Sequence, residues 1–376
     1  MKSKSVGKCI YLISFILIVC LPWFFWLFLE KYIESDNYEN RHLAERPVFD
    51  IDSFVDYPMN YEAYYNDNLP FRGTLISINT KIDYFIFHKS SSNEVTIGKD
   101  GWLFYNYTLR DYKKDNLYSR EQLEEIKNNL LATQDFFEER GIEFILYIAP
   151  NKSSIYGAYM PSYIEQNEGE SRVEQVVEYL RENTDVMIIF PEEELRKVVE
   201  EHPEISLYLK LDTHWNYMGG FFGTQPLLGS LGVGTTAFED ISYEEVNEPD
   251  FFWNGYDLAN MLGLSDVLDV DTNYHITGYS ENTVTYDGNG QSDRNAFSTF
   301  VRTYSDSSDT RKVFFARDSF GEAMLPFLAA EFGEIYSVNR GYMTKTQIFE
   351  EEPDIFIYEV VERVGFDGLA IQSWAE

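Results

Sequence analysis

Five short apolar runs constrain this chain more than any other feature. They lie at 143–150, 186–190, 313–316, 335–338 and 355–361. Each is too short for a helix of typical length and shows no in-out alternation, the pattern of a strand buried on both faces. Helical patterns alternate with them. Over 120–140, Leu123, Ile126, Leu130 and Phe137 recur near a 3.6 period, and Gly141 stops the helix. Val176, Val177 and Leu180 mark a second helix, and Pro191-Glu192-Glu193-Glu194 opens a third with proline and acids at its positive end. Further helices follow His214, through Met218, Phe221 and Leu227, and cover 319–331. This order predicts an α/β fold with a parallel sheet flanked by helices. Ligands of such folds bind beyond the carboxyl ends of the strands. Ser319 stands past one such end, and Asn151 and Lys152 past another.

Two stretches carry the chemistry. In Lys210-Leu211-Asp212-Thr213-His214-Trp215-Asn216 an acid and an imidazole are two apart. On extended backbone such residues share one side, so Asp212 and His214 are expected to face one target. In Phe315-Ala316-Arg317-Asp318-Ser319-Phe320-Gly321 a strand ends, a turn presents a serine, and a helix begins. That places the serine hydroxyl near helix-start N–H groups. Together they offer a nucleophile (Ser319), a base (His214) and an orienting acid (Asp212). The plainer reading makes Asp318 and Ser319 helix caps.

The amino terminus reads as a membrane anchor. Residues 9–29 carry no charge and follow Lys2, Lys4 and Lys8. About 20 apolar residues span roughly 30 Å, a bilayer's hydrocarbon thickness. The run exceeds a signal-peptide core and lacks a small-residue cleavage site. The lysines put residues 1–8 in the cytoplasm and the rest outside. Residues 30–95 read as an extracellular linker with a helical segment, and 96–376 as one large domain with an insertion or lid at about 232–310. Both cysteines, Cys9 and Cys20, fall in the span, so the exterior needs no redox protection. A net charge of −33 argues against nucleic-acid partners.

Several phrases then resemble one family in order: Gly98–Tyr105, Ala149-Pro150-Asn151-Lys152-Ser153-Ser154-Ile155-Tyr156, Asp212-Thr213-His214-Trp215-Asn216, Arg317-Asp318-Ser319-Phe320-Gly321 and Glu359-Val360-Val361-Glu362-Arg363. The set is similar to the SGNH-hydrolase-like proteins of the AlgX/AlgJ group, also called DHHW proteins, from about residue 39 onward. The resemblance implies a flavodoxin-like SGNH fold and O-acetylation of a secreted polysaccharide. It also implies a multi-spanning membrane-bound O-acyltransferase as acetyl supplier. It implies the acid-imidazole pair upstream of the serine, as Asp212, His214 and Ser319 stand here. The chain departs from it in having Arg317 where SGNH proteins commonly have glycine. Asn151 and Asn339 are candidate oxyanion donors, with turn or cap roles as the alternative. Arg340 is a candidate anion holder, with a surface salt bridge as the alternative. No cofactor is expected. His42, His88, His202 and His275 lack metal-site spacing. Rival readings are an extracellular esterase or deacetylase using the same triad, a metallophosphoesterase, and a non-catalytic scaffold of a polysaccharide-modification complex.

Overall fold

The computed structural model describes residues 8–17, 20, 44–50, 54–68, 72–246, 256–268, 271–287 and 299–375. The chain forms two units: residues 1–92 with 260–267, and residues 93–259 with 268–376. Of the expected membrane span, residues 9–17 and 20 are helical, and residues 18, 19 and 21–29 lie outside the described residues. Among the described residues no helix is long and apolar enough to cross a membrane. The first unit contains helices Tyr57–Asp67 and Arg72–Phe85. Asp67 accepts a hydrogen bond from the Ala44 N–H at 2.8 Å, and Lys81 pairs with Asp266 at 2.8 Å.

The second unit carries eleven strands among the described residues: β1 (Val95–Ile97), β2 (Leu103–Tyr105), β3 (Glu143–Ala149), β4 (Met187–Ile189), β5 (Ser242–Val246), β6 (Asn273–Thr277), β7 (Val284–Asp287), β8 (Phe300–Ser305), β9 (Lys312–Arg317), β10 (Glu334–Asn339) and β11 (Ile355–Val361). Seven form one sheet in the order β4-β3-β11-β9-β10-β8-β7. The first five are parallel, as the apolar runs predict. The last two are antiparallel, so the sheet is mixed rather than parallel throughout. The reason is visible in the side chains. β7 alternates half-buried and exposed residues along its length. That is the signature of an antiparallel edge strand with one wet face. Both antiparallel strands, β7 and β8, come from the stretch read as an insertion. β5 and β6 from the same stretch form a separate two-stranded antiparallel sheet. Phe251-Phe252-Trp253, expected in a lid, lie outside the described residues.

Both sheet faces are covered. Helices Arg120–Glu138 and Arg172–Asn183, each opened by a serine capping box, pack Leu130, Phe137, Val176 and Leu180 among Phe144, Leu146, Phe314 and Phe356. On the other face, helices Tyr217–Ser230 and Phe320–Glu331 pack Met218, Phe221, Met324 and Leu328 among Ile145, Tyr147, Phe315 and Ile357. Phe314 and Phe315 thus serve opposite cores. Each fully buried ring contributes about 1.5–3 kcal/mol, against at most about 1 kcal/mol for an exposed ion pair, so these layers hold the sheet. The second pair of helices approach closely because residue 220 is glycine: a Cβ there would lie 2.3 Å from the Ala323 carbonyl oxygen. That contact joins the helix after His214 to the helix after Ser319. The carboxyl ends of the adjacent strands β3, β11 and β9 deliver Asn151, Glu362 and Ser319 to one end of the sheet.

Candidate active site

The serine turn is clamped from several sides. The Asp318 carboxylate accepts from the Phe320 N–H at 2.8 Å, the Val361 N–H at 2.9 Å and Arg340 at 3.2 Å. Its own N–H donates to Glu359 Oε2 at 2.7 Å. Asp318 therefore caps the helix, and Ser319 does not: its side chain makes no capping bond. Arg317 is fully buried. It donates to Ser337 on β10 at 2.8 Å and pairs with Glu322 at 3.0 Å. The glycine requirement has moved to residue 321, where a Cβ would lie 2.6 Å from the Arg317 Cβ.

The second stretch does its work from a bend, not a strand. This corrects the extended-backbone expectation. Asp212 Oδ1 accepts from the His214 N–H at 2.9 Å and meets His214 Nδ1 at 2.6 Å. One carboxylate oxygen thus folds the turn and holds the ring, which an i, i+2 spacing also permits. With the proton on Nδ1, Nε2 is the acceptor facing Ser319 Oγ at 2.7 Å. Trp215 Nε1 donates to the Phe320 carbonyl at 2.9 Å, tying the two stretches directly. Asn216 caps the next helix by accepting from the Gly219 N–H at 3.0 Å. Lys152 supports the bend from below. Its buried ammonium donates to the carbonyls of Leu209 and Lys210, each at 3.0 Å, and of Asp212 at 2.6 Å.

The remaining candidates are placed as follows. Asn151 is fully buried, and neither polar atom of its side chain has a partner among the described residues. Asn339 accepts from the Gly341 N–H at 2.9 Å, a turn role. Arg340 forms the ion pair with Asp318 and donates to the Tyr358 hydroxyl at 3.2 Å. The structure therefore brings Ser319, His214 and Asp212 together, sets Arg340 one residue behind the serine, and uses Asn339 in a turn.

A family model described as the SGNH hydrolase-like domain of the acetyltransferase AlgX matches residues 95–241. The chain is 25% identical over 159 residues to the "Probable alginate O-acetylase AlgJ" of Pseudomonas aeruginosa, covering 42% of this chain and 38% of that protein. It is 26% identical over 169 residues to the protein of the same name from Pseudomonas syringae, covering 44% and 40%. Over this part the chain is similar to the SGNH-hydrolase-like proteins of the AlgX/AlgJ group. It spans about two fifths of the length of the curated relatives it matches. Solved structures with the same fold include Bacillus cereus PatB1 (TM-score 0.52, 17% identity, 73% of this chain and 98% of that one). A DHHW family protein from Eubacterium siraeum gives a TM-score of 0.50 at 16% identity, covering 74% and 99%.

Three residues of this site had no role assigned to them in the sequence reading. Asp257 lies 45 residues beyond Asp212 in a stretch without periodicity. Its N–H donates to Asp212 Oδ2 at 2.8 Å. Its carboxylate accepts from the Thr213 N–H at 2.7 Å and hydroxyl at 2.5 Å, and stands 3.9 Å from His214 Nδ1. The ligand atoms of Asp212, His214 and Asp257 lie within 4.8 Å of one another, close enough for a cation. Asp212 and His214 already share a proton at 2.6 Å there, so a cation would have to displace it. Lys152, noted past a strand end and within one phrase of the resemblance but given no role, is the second. Burial brings its pKa down to about 8 against the pull of Asp257, Asp212 and Asp271.

Glu359 is the third. It is fully buried in β11, and burial with the neighbouring Asp318 carboxylate holds its pKa well above the usual range. Around it, Arg317 pairs with Glu322 and Arg340 with Asp318. Two cations are thus matched by two anions, and Glu359 is the odd carboxyl, kept neutral. Glu359→Gln is therefore expected to change stability by less than about 1 kcal/mol, with activity retained. Glu359→Ala removes the acceptor of the Asp318 N–H and is expected to cost about 1–3 kcal/mol. Thermal unfolding of both variants checks this; equal losses would mean that Glu359 is ionised.

At His214, burial opposes the charged ring, but the Asp212 carboxylate, its hydrogen bond and Asp257 outweigh it and raise the pKa. At Asp212, burial is likewise outweighed by His214, and the pKa falls. The pair is arranged to hold a proton on the imidazole when one arrives.

Proposed function

We propose that this chain is an O-acetyltransferase that moves acetyl groups onto hydroxyls of a secreted or cell-surface polysaccharide. The observation that carries the reading is the line from Asp212 through His214 to Ser319, with contacts of 2.6 and 2.7 Å. His214 Nε2 takes the Ser319 proton while Oγ attacks the acetyl carbonyl, and Asp212 fixes the ring and stabilises its charge. The departing donor group leaves with that proton, and the serine is acetylated. A sugar hydroxyl then gives its proton to His214 and attacks the ester, which restores Ser319. The Phe320 N–H is already held by Asp318. The oxyanion donors proposed are therefore the Ser319 N–H and the Asn151 amide, whose polar atoms are buried and unpartnered. Residues 9–29 anchor the chain in a cell membrane with the catalytic unit outside, and a multi-spanning O-acyltransferase supplies the acetyl groups.

The test is the fate of the acetyl group. Purified chain is given a chromogenic acetyl ester and a series of oligosaccharides. Acetyl on sugar hydroxyls is the expected product; release of acetate alone, unaffected by every sugar, would make the chain an esterase.

Asp257 offers a sharper check on His214. Asp257→Asn removes a negative charge 3.9 Å from the ring, so the imidazolium loses support and its pKa falls. Activity needs the neutral ring, so the acid limb of the pH profile should move to lower pH. A limb that stays in place would mean that Asp257 acts only on the turn.

A further inference from the structure

Helix Arg72–Phe85 is built inside out. Leu75, Ile78, Ile82 and Phe85 recur at spacings of three, four and three, which places them in one stripe about 80° wide. That stripe faces outward, with exposures of 59, 49, 40 and 52%. Ser77 and Thr80, on the far side, are 7 and 5% exposed. A helix of a globular protein turns its apolar stripe to the core and its polar face to water; this one does the reverse. Ile86 and Phe87 extend the patch, and Val48, Phe49, Phe54, Val55 and Met59 are exposed in the preceding segment. Such a concentration of exposed apolar side chains marks an interaction surface.

The pattern selects among occupants. Two heptads are too few for a coiled coil with a second copy, which needs about three or four. The exposed residues at 48–59 do not continue the stripe, so one rigid groove does not match the set, whereas a fluid lipid surface imposes no register. The uncharged run ends at Leu29 on the same chain. Leu75 follows that run by only 46 residues, so a bilayer that holds residues 9–29 is a surface close to the stripe along the chain. Residues 44–87 carry seven acidic and three basic side chains, which favours neutral over anionic lipid.

We propose that the Arg72–Phe85 helix lies on the outer surface of a zwitterionic bilayer, with Leu75, Ile78, Ile82 and Phe85 buried at its interface. This rests on the anchored reading above. Docking shortens the tether and raises the enzyme's local concentration at the membrane, where the acetyl supply is placed.

Nitroxide labels test it on the full chain. In a Cys9→Ser, Cys20→Ser background, single labels are placed by Ile78→Cys, Ile82→Cys, Asn79→Cys and Glu125→Cys. The protein is reconstituted in phosphatidylcholine nanodiscs, and each label is exposed to oxygen and to an aqueous nickel chelate. Labels at 78 and 82 should be open to oxygen and shielded from nickel. The label at 79 should be less so, and that at 125 the reverse. Nickel access at 78 and 82 equal to that at 125 overturns the proposal. So does shielding from both reagents, which would mean that protein covers the stripe. If alkaline carbonate strips the chain from lipid, the anchored reading fails separately. Vesicles added to the soluble chain then decide: nickel shielding at 78 and 82 upholds the docking helix, and its absence overturns it. In the anchored chain, Ile78→Asp with Ile82→Asp should abolish shielding of a label placed by Leu75→Cys; retained shielding counts against the stripe.

Discussion

Ser319→Ala is expected to abolish acetylation of the cell's polysaccharide while leaving the protein folded. Apart from the backbone, the serine's described bonding is its contact with His214, and Asp318 supplies the helix cap, so nothing in the packing depends on the hydroxyl. The loss should be at least about 10⁴-fold, because members of such a triad act as a unit and removing one is nearly as bad as removing all. His214→Ala should match it. Asp212→Ala should cost somewhat less in the chemical step, since it orients rather than reacts. It also releases the turn N–H of His214 and the N–H of Asp257, so its stability loss should exceed that of the other two. Polymer acetyl content, measured by NMR in strains with equal protein levels, reads the result. Normal acetylation with Ser319→Ala would remove the transferase reading, and a rise would make the chain a deacetylase.

Lys152→Met is expected to have the second-largest effect, although Lys152 takes no part in the chemistry. Its ammonium gathers three carbonyls of the bend that carries Asp212 and His214. Methionine fills the same space but donates nothing. Leaving buried carbonyls unsatisfied costs about 1–3 kcal/mol each; relief from burying a charge offsets part of that. A net loss of about 2–4 kcal/mol is expected, with activity down about 10²-fold from displacement of the ring. The wild-type chain carries the same dependence in its pH profile. With a folded pKa of about 8, Lys152 loses a proton, and with it one donor, as pH rises through that value. Activity should fall there, on the alkaline side of the His214 limb. The KM of a small acetyl ester should change less than kcat, since the bend positions the base rather than the substrate.

How much of this was legible varied with the physics of each part. The five parallel strands were readable because burial on both faces leaves an uninterrupted apolar run, which a soluble chain has few other uses for. The two antiparallel strands β7 and β8 were not assigned to the same sheet. Their alternation in Val284–Asp287 shows a strand but says nothing of which sheet it joins. Asp212 and His214 were paired correctly from a spacing argument whose backbone was wrong. An Asx-type turn and an extended strand both bring i and i+2 together, and sequence does not separate them here. Arg317 was read as a departure at the serine turn; its guanidinium instead enters a buried ion pair, and Gly321 supplies the room. Asp257 left no signal, because a single acid 45 residues away becomes a neighbour only through tertiary folding. The aromatic run at 251–253 and most of the membrane span fall outside the described residues.

The central claim is that Ser319 carries the acetyl group in transit. The most direct measurement is peptide mass spectrometry of the full chain after incubation with a chromogenic acetyl ester in the absence of any sugar. The account predicts one added acetyl group on the peptide containing Ser319, absent in His214→Ala and discharged when an acceptor oligosaccharide is supplied. An unmodified Ser319 in a chain that still acetylates polymer would contradict it.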